Sequence, residues 1–244
     1  DWGVLMEKDP GLKGKKVAIV ALGASQIDFV IGLENSKEWD EVWCINSALA
    51  VYRQCDRVFM LDPPSRYLDT EDAGNQTEIM RKLLPVHPGP IYTCELDERV
   101  PGAVEYPLAE VVTYAKCAYL NNTVAYALAY AYWQEVGHVD LFGVDFSYSH
   151  NLHFAEAGRA CCEFWISKCL ENKIAIGASP RSSLLDSNVG ITERLYGYHR
   201  LDDPMVAVPH QDEWVLCPRS KLSEVVQERE IELVKVTRAP EPYK

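Results

Sequence analysis

The stretch from Val139 to Trp165 constrains the chain most. It opens as a short apolar run with Val139, Leu141, Phe142 and Val144. It turns polar at Asp145, Ser147, His150 and His153, then continues as a helix-like pattern carrying Glu156, Arg159 and Glu163. An apolar strand that stops at an acid, then a histidine-bearing loop, then a helix, is how open α/β sheets build sites. Ligands in such sheets sit beyond the carboxyl ends of the strands.

Upstream, the chain repeats the first half of this pattern three times. Lys16-Val-Ala-Ile-Val-Ala-Leu22 is a continuous apolar run of the kind buried on both faces of a parallel sheet, and it enters the small-residue turn Gly23-Ala24-Ser25 before a predicted helix through Leu33. A strand, a small-residue turn and a helix can present helix amides to an anion. G-x-G-x-x-G and the P-loop lysine are both missing, so an ordinary tight turn fits as well. Glu41–Ile45 is a second strand ending at Asn46-Ser47, and residues 57–61 form a third ending at Asp62-Pro63-Pro64. The Asn46 amide suits a base or ribose edge, although asparagine also simply stabilises turns. Three polar strand ends in succession point to a shared crevice.

Further strands are predicted at Ile91–Thr93 and at residues 173–176, with residues 95–107 read as a connection. Asn121-Asn122-Thr123 opens an Ala-rich helix through Trp133, whose Tyr126, Tyr130 and Trp133 share one face and read as core. Asn121 or Asn122 can cap this helix, and its amino end can hold an anion. The expected architecture is a single α/β domain over residues 1–244, a mostly parallel sheet with helices on both faces. Its core covers about residues 15–200, with an irregular carboxyl extension at 201–244 in which residues 223–232 read as helical. At 244 residues and 48% hydrophobic content, the chain can bury a sizeable core.

A formal net charge of −12 argues against a broad nucleic-acid face, which wants a basic surface. No apolar run is long enough to span a bilayer, and no signal-peptide pattern stands at Asp1, so a cytoplasmic protein is expected. The eight cysteines form no C-x-x-C pair, which speaks against a zinc ribbon and for reduced thiols.

The blocks Val17–Ser25, Glu41–Asn46, Asn121–Ala127 and Leu141–Phe146 resemble phage-encoded proteins labelled "norphogenetic". The same blocks, in the same order, are more distantly similar to the bacterial lipooligosaccharide sialyltransferases. That resemblance implies a Rossmann-like fold, a sugar nucleotide as donor substrate, and neither metal nor cofactor. Gly23, Ala24 and Ser25 match the last residues of that family's first turn, and Asn46 and Asp62 match its second and third strand ends. Asn122-Thr123-Val124 falls on its helix start. Gly143-Val144-Asp145-Phe146-Ser147, with Tyr148 one place later, falls on its last strand end. The family's catalytic base is a histidine beyond that strand, which assigns His153, with His150 as rival.

The chemistry follows from these positions. An acceptor hydroxyl attacking an anomeric carbon must lose a proton, and a histidine titrates nearest neutral pH. Asp145 can orient either histidine, bind a sugar hydroxyl, or simply form a turn. Helix amides near Gly23, Asn121 and Asn122, together with Tyr148, Ser183 and Arg181, can offset the charge of a leaving phosphate. Arg159 and Glu163 stand at i, i+4 and most simply form a surface pair; with His150 and Glu156, Arg159 can instead line the acceptor side. The expected function is a sugar-nucleotide-dependent glycosyltransferase. The phage resemblance makes a hydroxymethylated DNA base the acceptor, in the host cytoplasm, and oligomerisation is left open. His150, His153 and Asp145 also suit a metal hydrolase. Two more readings fit the same residues. One is a pyrophosphokinase-like phosphoryl-transfer enzyme, with a divalent metal near Asp62 or Asp145, and the second is a non-catalytic nucleotide-binding or virion-assembly module.

Overall fold

The computed structural model describes residues 6–147, 152–192, 205–210 and 213–229. Two compact units divide the chain, Asp1–Asn188 and Val189–Lys244.

The first unit is built on seven strands: β1 (Lys16–Val20), β2 (Glu41–Ile45), β3 (Arg57–Phe59), β4 (Ile91–Thr93), β5 (Ala103–Glu105), β6 (His138–Phe142) and β7 (Ala175–Ala178). They form one parallel sheet in the order β5-β4-β3-β2-β1-β6-β7. The continuous apolar runs have a simple cause, since β1 is packed from both sides. Val17 and Ile19 face one core with Trp43, Phe59 and Tyr92, while Ala18 and Val20 face the other with Cys44 and Val58. Side chains alternate across a strand, so a strand buried on both faces must be apolar at every position.

Helices α1 (Ile27–Glu34), α2 (Pro64–Leu68), α3 (Gln76–Leu83), α4 (Leu108–Ala115), α5 (Thr123–Gln134) and α6 (Leu152–Glu171) accompany the sheet. Phe29 of α1 and Met80 of α3 lie in the second core, and α5 and α6 contribute to the first. The predicted aromatic stripe of α5 goes to this core: Tyr130 lies 5.6 Å from both Trp43 and Trp133, ring centre to ring centre. The fold is therefore Rossmann-like, as the strand pattern predicted.

Topology positions the site. The chain winds outward from β1 to β5, and α5 then carries it back so that β6 lies on the other side of β1. The winding direction reverses between β1 and β6, and in open α/β sheets the crevice beyond that point holds the ligand. The amino ends of the strands are closed by charge instead. Arg57, the first residue of β3, donates to both Glu41 oxygens (2.7 and 3.0 Å), to Asp9 (2.7 Å) and to the Tyr92 hydroxyl (3.1 Å). Burial opposes the Arg57 charge, and Glu41, Tyr130 and Tyr92 together more than offset it.

Two elements escape sequence patterning. Strand β5, in the segment read as a connection, is three residues long and lies at the sheet edge, so it shows no apolar run. In the second unit, β8 (Met205–His210) and β9 (Glu213–Pro218) pair as an antiparallel hairpin, followed by α7 (Leu222–Glu228). Helix α7 covers part of the predicted 223–232 helix, and residues 230–232 lie outside the described ones. No described helix is long and apolar enough to cross a membrane.

Candidate functional site

The turns that follow β1 and β6 are fastened to each other. The Gly23 N–H donates to the Gly143 carbonyl (2.7 Å), the Ser25 N–H to Asp145 Oδ2 (2.8 Å), the Ser25 hydroxyl to Asp145 Oδ1, and the Gly143 N–H to Ser25 Oγ (2.9 Å). Ser25 and Asp145 are buried. Both glycines are required by this close approach. A Cβ on Gly23 would lie 2.5 Å from Asp145 Oδ2 and 2.6 Å from the Gly143 carbonyl oxygen, and Gly143 has a φ of +69°. Sequence reading assigned Gly23 and Ser25 to the nucleotide, and left Asp145 to orient a histidine, bind a sugar hydroxyl or form a turn. The structure spends the Gly23 amide on the Gly143 carbonyl and the Ser25 amide on the Asp145 carboxylate. Of the three turn residues, Ala24 is the exposed one. As the first residue of a short helical turn, it has no intrahelical acceptor for its N–H.

The β1–β2 side of the crevice carries unsatisfied amides. Asn46 directly follows β2 with a φ of +49°, and its Oδ1 is buried without a hydrogen-bond partner. Gln26, one residue beyond Ser25, has a buried and unpartnered Oε1. Buried polar atoms in native folds are nearly always paired, so two such groups at the ends of adjacent strands mark where a ligand can bond. Sequence reading reached Asn46 and missed Gln26, whose signal was a polar residue immediately after the small-residue turn. Asp62, at the third strand end, is held by Arg66 (2.5 Å) and by the Tyr67 hydroxyl (3.2 Å).

Asn121 and Asn122 tie the amino end of α5 to the middle of α6. Asn122 Oδ1 caps α5 by accepting from the Ala125 N–H (3.0 Å), and its Nδ2 donates to the Gly158 carbonyl (3.2 Å). Asn121 Nδ2 donates to the Ala157 carbonyl (3.1 Å). Thr123 is the first residue of α5. The predicted cap is thus present, and both side-chain amides are committed to protein partners.

On the β6–β7 side, the loop after β7 is pinned to both neighbouring turns. Ser179 and Arg181 bind Asp28 of α1, the Ser182 hydroxyl donates to the Val144 carbonyl (2.7 Å), and the Ser183 hydroxyl to the Asp145 carbonyl (2.5 Å). The expected Arg159–Glu163 pair is not formed. Arg159 Nη1 and Nη2 donate to the Ser183 carbonyl (3.1 Å) and to Ser183 Oγ (3.0 Å), and a Glu163 oxygen accepts from the Leu185 N–H (3.3 Å). The returning β7 loop offers better-placed partners than a solvated i, i+4 pair, which is worth only about 0.3–0.5 kcal/mol. Arg159 Nε is buried with no acceptor. His153 and Glu156 are exposed in the first turns of α6. Tyr148 and His150 lie outside the described residues. Among the described residues, no three His, Cys, Asp or Glu side chains converge as a metal-holding set, and all eight cysteines are free.

These features define a doubly wound α/β protein whose strand order reverses between β1 and β6. No family model matches the chain, and no curated protein matches it. Among solved structures, it is similar to a sialyltransferase from Campylobacter jejuni in complex with the substrate analogue CMP-3FNeuAc. The identity is 15%, covering 88% of this chain and 99% of that one, with a TM-score of 0.43. A likeness at that score decides nothing about activity.

Proposed function

We propose that the chain is a sugar-nucleotide-dependent glycosyltransferase whose donor lies across the β1–β6 switch point. The observation that carries this reading is the pair of orphaned buried amides, Asn46 and Gln26, at the carboxyl ends of adjacent strands. They suit the hydroxyls of a ribose or the amino edge of a base. The sequence blocks that distantly resemble sialyltransferases run through the same turns. In the reaction, the acceptor oxygen bonds to the anomeric carbon as the bond from that carbon to the phosphate oxygen breaks. The nucleotide leaves with the electron pair, and His153 takes the acceptor proton. Exposed at the start of α6, His153 is open to an acceptor from solvent. Asp145 acts as a positioning residue, holding the Ser25 turn beneath the donor.

The acceptor carried by the phage resemblance, a hydroxymethylated DNA base, belongs to this proposal, as does a cytoplasmic location. A phosphoryl-transfer reading needs metal ligands at Asp62 or Asp145, and both carboxylates are already engaged by protein donors. The test is a thermal-shift panel of nucleotides and sugar nucleotides, followed by transfer assays with the stabilising donor on hydroxymethylpyrimidine DNA and on sugar acceptors. A native-state ligand raises stability by mass action. His153→Ala is expected to lower transfer by about 10²–10⁴ while leaving donor binding intact. Absence of any shift across the panel would overturn the reading.

A further inference from the structure

Two buried cysteines meet beneath the turn that carries Asn46. Cys44 lies in β2, and Cys55 follows it after the ten residues 45–54. Both side chains belong to the second core. Both residues also converge on one carbonyl oxygen, that of Tyr52: the Cys44 thiol donates to it (3.7 Å), and so does the Cys55 N–H (3.3 Å). The neighbouring Cys55 thiol, together with burial, pushes the Cys44 thiol far above the ordinary range, so Cys44 stays protonated. A histidine faces Cys55. Burial outweighs a bond to the Cys55 main chain and holds His87 below the ordinary histidine range, so its ring is neutral and carries one proton. The Gly89 N–H donates to His87 Nδ1 (3.0 Å), which puts that proton on Nε2, 3.6 Å from Cys55 Sγ. An N–H donor facing a sulfur stabilises the charge it carries as a nucleophile.

Other thiols are placed differently. Cys161 and Cys162 are consecutive in α6 and bond to different groups, the Tyr119 carbonyl and Asn122, and Cys94 is exposed. Cys55 and His87 are buried but shallow, because Gln54, Asp56, Val86 and Pro88 on either side of them are exposed. A small oxidant suits such a sulfur. We propose that Cys44 and Cys55 are a redox pair, oxidised by hydrogen peroxide to a reversible disulfide that closes the loop carrying Asn46. The Cys55 sulfur attacks one peroxide oxygen, the O–O bond breaks, and the departing hydroxide takes the Cys55 proton and leaves as water. The sulfenic acid so formed is attacked by the Cys44 sulfur. The S–S bond forms as the S–O bond breaks, and hydroxide leaves with the Cys44 proton as a second water. The two thiols lose two electrons, and the peroxide gains them. The closed ring contains Asn46, whose φ is +49° and whose Oδ1 is buried without a partner. Oxidation thus fixes the β2 flank of the crevice, and the pair needs no particular ligand there.

The full chain is treated with hydrogen peroxide, blocked with iodoacetamide and digested with trypsin. Arg53 lies between the two cysteines, so cleavage there leaves two peptides joined only by the disulfide. Mass spectrometry is expected to show the joined peptides in wild type and in the control Cys94→Ser, and dithiothreitol to separate them. Cys44→Ala should leave Cys55 at the sulfenic acid, trapped by dimedone, and Cys55→Ala should leave Cys44 a free thiol. His87→Leu removes the donor and should slow disulfide formation by about tenfold. His87→Gln keeps an N–H near the place of Nε2 and should recover most of the rate. Closing the loop should raise the Tm of wild type by roughly 5–10 °C and slow amide hydrogen exchange over residues 46–54, and both should revert on reduction. Peptide mapping of wild type decides the pairing even where a variant fails to fold. The proposal is overturned if Cys94 or Cys117 reacts while Cys44 and Cys55 stay reduced, if the joined peptides form only in denaturant, or if oxidation leaves hydrogen exchange over residues 46–54 unchanged. Equal rates in wild type and His87→Leu would overturn the role of His87.

Discussion

Replacing Asp145 tests whether that carboxylate fastens the two turns or serves chemistry directly. It accepts from both the backbone N–H and the hydroxyl of Ser25, which is 1% exposed. Asp145→Ala strands a buried N–H and a buried O–H. Each stranded donor costs about 1–3 kcal/mol, and release of a desolvated carboxylate returns part of that, so the net loss should be about 3 kcal/mol. For a domain of this size, that corresponds to a fall in Tm of roughly 6–12 °C. Asp145→Asn keeps one oxygen for the Ser25 N–H and presents its NH2 to a hydroxyl that can also accept, so its cost should be about 1 kcal/mol. Urea unfolding followed by fluorescence of the buried Trp43 and Trp165 reads both variants. Combined with Ser25→Ala in a double-mutant cycle, Asp145→Ala should be non-additive by about 1–2 kcal/mol, because the two residues share their bonds. An Asp145→Ala cost below about 1 kcal/mol, or strict additivity with Ser25→Ala, would refute the clasp. Loss of transfer activity at unchanged stability would place the carboxylate on the substrate instead.

Three further outcomes follow from neighbouring contacts. Gly23→Ala should cost roughly 1–3 kcal/mol, read by the same unfolding assay, and Asp145→Ala should not rescue it, because the new Cβ still meets the Gly143 carbonyl. Arg57→Ala should destabilise by about 1.5–3 kcal/mol, since it leaves the half-buried Glu41 with only the Trp43 indole N–H, whereas the apolar Arg57→Met combined with Glu41→Gln should recover much of that loss in thermal melts. Stability should also fall in acid. The Tyr114 hydroxyl, Lys8 and Lys13 hold the Glu135 carboxyl at about 2, below its ordinary 4.5. This contribution is present above about pH 4.5 and is lost as pH falls toward 2, so Glu135→Gln should flatten the acid limb of a Tm-against-pH curve, and added salt should shrink the difference.

Much of the sheet can be read from local pattern alone, because strands buried on both faces have no room for a polar residue. β1 and β2 show this from Val17 and Val42 onward, whereas β6 admits one polar residue, the buried Asp140, which is satisfied by Trp39, His138 and Lys37. The reversal that puts β6 beside β1 is not local, and neither is the Ser25–Asp145 bond between residues 120 positions apart. An acid just beyond a strand end looks the same in sequence whether it faces a ligand or ties a turn. For that reason sequence leaves Asp145 open to both readings, and its clasp on Ser25 shows only in the structure. Arg159 shows the converse. Its i, i+4 spacing to Glu163 predicts a surface pair, and only the path of the β7 loop reveals Ser183 as the competing partner. Strand β5 is too short to show apolar periodicity, whereas β8 and β9 carry the apolar runs 205–208 and 214–217, which are legible in sequence but are broken up by Pro209 and Pro218.

The clasp also limits how a ligand can be recognised. Glycine-rich nucleotide loops offer several free amides to a phosphate. Here the Gly23 and Ser25 amides are spent on Gly143 and Asp145. A phosphate over this turn meets few free donors, so the turn alone is a weak anion site. On the reading proposed above, recognition comes from the β1–β2 flank, where the buried oxygens of Asn46 and Gln26 accept from hydroxyl or amino groups of the ligand. Because hydrogen bonds already fix the turns beside that flank, binding incurs little ordering cost there.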